Sequence, residues 1–190
     1  CLTDLNLSGN NLTTLDLQGI YGDYEKNVLS NIRAERNKLS AFNNIATRST
    51  RILDISDNQL DEFSLKDYDN LIILDLSANR LTEINLSYLT AATDIDLSSN
   101  ALTSVVPCPT NVAAHFNIAE NRLSYPSLPV PSEMGDGYIY APQQQIPIAS
   151  QSPTVNLSQY MATVEGNPTI LVWKKADGTT LTEGADYTLS

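Results

Sequence analysis

The chain has 190 residues, with 22 Asp or Glu against 11 Lys or Arg and a net charge of −11. That acidic balance argues against a nucleic-acid backbone or an anionic membrane surface as partner. No apolar run reaches the ~18 residues that a membrane span needs, and no signal peptide is evident.

The first element is a repeated frame. Asn10, Asn37, Asn58, Asn79, Asn100 and Asn121 each sit in L-x-x-L-x-L-x-x-N-x-L or a close variant, and the last five are 21 residues apart. In the cleanest copy Leu71, Leu74 and Leu76 precede Asn79, and Leu81, Ile84 and Leu86 follow it. Residues five and three positions before each Asn flank one outward residue, so they share a side of a short strand and point into a common core. The apolar residues two and five positions after it return to that core from the opposite limb. Each coil leaves its apolar edges bare, and stacking buries them along the length of a solenoid. The Asn marks the corner, where its amide can pair with backbone groups that would otherwise be buried alone. We assign this row a structural role.

Fixed-period self-similarity identifies the frame as a leucine-rich repeat and predicts a mainly β solenoid with a parallel concave sheet over residues 1–124. Cys1 stands one residue before the first repeat, so processing or trimming is expected to have removed what preceded it. Lipid attachment there is not expected, because no flexible tether follows. Cys108 lies on the fifth coil, roughly 20 Å away if strands stack at ~4.8 Å, so two unpaired thiols are expected.

The period breaks twice. Asn10 and Asn37 are 27 residues apart, which places a six-residue insertion between Gln18 and Asn27. Its Tyr21 and Tyr24 form either an aromatic anchor for a partner or a cap on the core edge of the first coil. After Asn121, Ser124-Tyr-Pro-Ser-Leu-Pro-Val-Pro131 places three prolines within six residues, which a central ladder cannot hold. A semi-rigid linker over 125–137 is expected. Beyond it, Tyr138–Tyr140, Ile146–Ile148, Thr154–Leu157 and Thr169–Lys174 read as short strands, with a hairpin turn at Ala176-Asp-Gly178. We therefore expect a second, sandwich-like β segment over 138–190, shorter than the ~100 residues of a full immunoglobulin-like domain and so possible to continue past Ser190.

The phrases Leu74-Asp-Leu-Ser-Ala-Asn79-Arg-Leu-Thr and Ile95-Asp-Leu-Ser-Ser-Asn100-Ala-Leu-Thr103 resemble the 21-residue repeats of internalin-like and gut-bacterial surface proteins. In those families an immunoglobulin-like module lacking the disulfide follows the solenoid, and Trp173 is similar to its core Trp. The resemblance implies an extracellular or cell-surface monomer that binds a protein or glycan without catalysis or cofactor. The inserted second repeat and the absent anchoring segment depart from that pattern.

Function is then expected in the outward residues of the strands. Six positions before each Asn the row reads Asp4, Asn31, Ile52, Ile73, Asp94, His115; four before, Asn6, Arg33, Asp54, Asp75, Asp96, Asn117; two before, Ser8, Glu35, Ser56, Ser77, Ser98, Ala119. Asp54, Asp75 and Asp96 would stand ~5 Å apart and repel, with Arg33 able to pair with Asp54. A solvated stripe is the simpler reading of these carboxylates, since calcium wants six to eight oxygens; no metal site is assigned. Ile52 and Ile73, side by side among polar neighbours, point to a partner surface because they have no folding reason to be exposed.

His115 near Asp94, Ser98 and Asn117 invites a hydrolytic triad, but an open sheet face offers no pocket that excludes water. No catalytic residue is assigned. The sequons at Asn6, Asn11, Asn85 and Asn156 follow from the repeat spelling in a bacterial protein. Two readings from different classes remain: a binding module presenting Arg33, Glu35, Ile52, Asp54, Ile73, Asp75, Asp94, Asp96 and His115, or a structural spacer within a larger surface protein.

Overall fold

The computed structural model describes residues 2–17, 29–43, 47–105, 115–129, 134, 136–144, 157, 163–164, 167–168, 172–175 and 177–186. Tyr21, Tyr24, Cys1, Cys108 and the expected strand at 146–148 lie outside them. The chain divides into two compact units, Cys1–Ala149 and Ser150–Ser190.

The first unit is built on one parallel sheet. Its strands are β1 (Asp4–Asn6), β3 (Asn31–Arg33), β5 (Ile52–Asp54), β6 (Ile73–Asp75), β7 (Asp94–Asp96), β8 (His115–Asn117) and β9 (Tyr138–Ile139), side by side in that order. The return limbs of the first two coils add a small parallel pair, β2 (Thr14–Asp16) with β4 (Ala41–Asn43). Between the two limbs the core is a single column. Ile32, Leu53, Leu74, Ile95 and Phe116 at the strand centres and Leu39, Leu60, Leu81 and Leu102 on the return side are buried. Leu5, Leu7 and Leu12 of the first coil are only partly buried against it. Each coil buries its apolar edges on its neighbours, so the hydrophobic contribution grows with coil number rather than around one centre.

The asparagine row is a hydrogen-bonded ladder. Asn79 Oδ1 accepts the Leu60 N–H of the preceding coil at 3.0 Å, while its Nδ2 donates to Ile55 O at 3.0 Å and to Leu76 O of its own coil at 3.1 Å. Asn37, Asn58, Asn100 and Asn121 repeat this arrangement with their own neighbours. All five of these asparagines are buried. The residue before each Asn carries the turn: Gly9, Arg36, Asp57, Ala78, Ser99 and Glu120 all have φ between 51° and 67°. Only Gly9 adopts this left-handed conformation without steric cost; the ladder holds the others there.

The solenoid does not end where the prolines suggested. Tyr125–Ser127 forms a 3-10 turn, and Leu128, Met134 and Tyr138 pack against the core. Phe116 N–H donates to Gly137 O at 3.0 Å and Ile118 N–H to Ile139 O at 2.8 Å, so β9 continues the sheet. Gln143 then takes the ladder position of a seventh coil. Its Oε1 accepts from Leu123 N–H at 3.1 Å, and its Nε2 donates to Ile118 O at 2.9 Å and to Tyr140 O. The expectation that Tyr138–Tyr140 opens the second module is corrected: the segment bridges the proline run because its backbone completes the open edge of β8.

In the second unit, β10 (Thr163–Val164) and β11 (Asn167–Pro168) form an antiparallel pair. Lys174 and Thr180 make a single antiparallel bridge across the hairpin turn expected at Asp177-Gly178. Gly178 sits at φ 86°, and its N–H donates to Lys175 O at 2.9 Å. Trp173 is half-buried.

Candidate functional site

Strand register fixes the concave rows. Asp4, Asn31, Ile52, Ile73, Asp94 and His115 are successive register partners, as are Asn6, Arg33, Asp54, Asp75, Asp96 and Asn117. The side chains that flank each inward residue point out, so the two rows counted six and four positions back from each Asn coincide with the strand register.

Two rows are hydrogen-bonded rather than merely solvated. The middle row ends each strand with a local turn: the Oδ1 of Asp54, Asp75 and Asp96 accepts the N–H of Ser56, Ser77 and Ser98 at 3.1, 2.9 and 2.8 Å. Asn6 does the same for Ser8 and Asn117 for Ala119. Ser56 and Ser98 also donate their hydroxyls to these carboxylates, at 2.7 and 2.6 Å. The spelling Leu-Asp-Leu-Ser thus encodes a carboxylate that accepts from the backbone two residues on and terminates the strand. Arg33 breaks this pattern. It is the register partner of Asp54 yet forms no ion pair with it, so the expected pair is absent.

Charges along the rows are tuned by these partners. Asp75, half-buried at the centre, is held above the ordinary carboxylate value mainly by desolvation, with Asp54 and Asp96 adding in the same direction and the Ser77 bonds opposing. Asp4 is held below it by hydrogen bonds from Thr3 and Asn31. At the far end of the row His115 Nδ1 lies 3.0 Å from Asp94 Oδ1, and Asn117 Nδ2 donates to Asp96 Oδ2 at 3.0 Å. Ser8 donates its hydroxyl to Glu35.

Apolar surface interrupts this polar field at the centre. Ile73 is 37 % exposed beside Ile52, which is half-buried, so the patch is narrower than two fully exposed side chains. Sequence reasoning missed a second contribution. Ile139, 42 % exposed, is the register partner of Asn117 and so stands seventh in the middle row. The alternation Tyr138-Ile-Tyr140 was visible, but the proline run and a Gln in place of Asn disguised it as a separate domain.

The triad geometry is not assembled. The Ser98 hydroxyl is committed to Asp96, and His115 Nδ1 is turned to Asp94. Among the described residues no three His, Cys, Asp or Glu side chains converge as metal ligands, and no helix is long and apolar enough to cross a membrane.

The family model described as Leucine Rich Repeat matches residues 1–22. The fold is a leucine-rich repeat solenoid. The match covers the first coil, and the strand register carries the same frame through Asn121. No curated protein matches the sequence. Leucine-rich repeats are typically non-catalytic binding scaffolds.

Proposed function

We propose that the chain is an extracellular binding module whose concave sheet engages a protein partner. The observation that carries the reading is Ile73, an exposed aliphatic side chain that lies beside Ile52 at the centre of a sheet whose outward positions are mostly polar. A leucine-rich repeat solenoid has no folding need for it, because Leu74 and Leu76 already fill the core on the opposite side. Central apolar contacts ringed by polar residues are where interface energy concentrates. Asp54, Asp75, Asp94 and Asp96 would steer a partner of opposite charge, raising its association rate more than its affinity. The cell-surface setting rests on the likeness of the repeats to those of bacterial surface proteins.

Replacing Ile52 and Ile73 together by Ser leaves every core leucine in place. The expected outcome is an unchanged melting temperature and partner binding weakened about tenfold or more, as loss of a central contact costs at least ~1–2 kcal/mol. Surface plasmon resonance against a captured partner measures it. Affinity that ignores this change but collapses on loss of Tyr21 and Tyr24 would move the site to the inserted loop.

A further inference from the structure

We propose a second ligand site, on the return limbs of coils two to five and away from the concave sheet, that takes a neutral oligosaccharide. A groove of about 1070 Å³ opens there, lined by Asn43, Glu62, Phe63, Glu83, Asn85 and Tyr88 among others. That is just above the ~300–1,000 Å³ of small-molecule sites, room for a short oligomer rather than one sugar ring. Tyr88 is 37 % exposed, a large aromatic face left open where the neighbouring Ile84 and Leu89 are buried.

Around that ring several polar groups keep hydrogen-bonding capacity to spare. Among the described residues Asn43 makes no side-chain hydrogen bond, and Asn85 uses only its Oδ1, accepting from Ser87 N–H at 3.0 Å. Glu62 and Glu83 are exposed, and among the described residues no cation pairs with either. A pyranose presents an apolar C–H face edged by hydroxyls that each donate and accept. An aromatic ring covers such a face, while an amide and a carboxylate answer adjacent hydroxyls, one donating and the other accepting. The carboxylates at the rim disfavour anionic sugars through like-charge repulsion.

An extended peptide fits less well. Peptides dock on open sheet edges by adding a strand. Here the rings of Phe42 and Phe63 meet at 6.0 Å, so side chains of the third coil pack beside β4.

Isothermal titration calorimetry of the full chain with maltohexaose, cellohexaose, xylohexaose and mannohexaose tests the site. We expect at least one to bind, Tyr88→Ala to weaken it about tenfold or more, Tyr88→Phe to retain it, and Asn43→Ala and Glu83→Gln to weaken it severalfold, all with melting temperatures unchanged. The Ile52→Ser/Ile73→Ser double variant should bind the sugar as the parent does, which separates this site from the concave face. No binding by any of the four, binding indifferent to Tyr88→Ala, or tighter binding of an anionic oligosaccharide such as hexagalacturonate overturns the proposal.

Discussion

A single carboxylate shows how the concave face balances structure against charge. Asp75 accepts from Ser77 N–H at 2.9 Å, but burial and the flanking Asp54 and Asp96 raise its pKa above the ordinary 3.8. The folded chain therefore holds the proton more tightly than the unfolded chain. Its contribution to stability is complete below the unfolded pKa and is lost as pH rises through the folded one, so ionised Asp75 is a penalty at neutral pH. Asp75→Asn keeps an oxygen for Ser77 N–H and removes the charge. We expect it to stabilise the protein at pH 7 by about 0.2–1 kcal/mol, the scale of a like-charge cross-strand pair, with the gain vanishing in acid. Asp75→Ala also deletes the acceptor, worth roughly 0.5–1.5 kcal/mol, and so should be neutral or destabilising. Urea melts of the three proteins across pH 3–8 measure this. An Asn variant less stable than the parent at pH 7 would show that the charge itself is needed.

At the scale of elements, what was legible was what repeats. Leucine spacing fixed which residues of each strand face the core, and the Asn row fixed the corners, because a period of 21 residues lets five copies check one another. The last coil escaped because it is spelled differently. Gln143 follows Asn121 by 22 residues, not 21, and its longer side chain reaches the same Leu123 N–H and Ile118 O that an Asn would serve. The left-handed residue before each Asn escaped too, since Arg36, Asp57, Ala78, Ser99 and Glu120 share no side-chain chemistry and only Gly9 signals the conformation. Gln143→Ala should leave Leu123 N–H without its acceptor and destabilise by about 1–3 kcal/mol. Hydrogen exchange gives the sharper readout: the Leu123 amide should exchange faster while Leu60 and Leu81, served by Asn79 and Asn100, keep their protection. Equal exchange at Leu123 in parent and variant would show that Gln143 is not a ladder member.

For the whole molecule, the question is where one cooperative unit stops. A break within 125–137, expected from the prolines, would have to strip β9 from β8 and Gln143 from Leu123 and Ile118. It would also separate Tyr138 from Phe116, whose rings stack at 5.8 Å. Backbone held by such contacts resists proteases, which cut where local opening costs least. Tyr138–Gln144 should therefore open with the solenoid as one unit. We expect limited proteolysis to cut first between the two units, Cys1–Ala149 and Ser150–Ser190, leaving a folded fragment that retains Tyr138–Gln144. Mass spectrometry of the early fragments identifies the site. A stable first fragment ending before Tyr138 would return the boundary to the prolines and reduce the seventh strand to a dispensable edge.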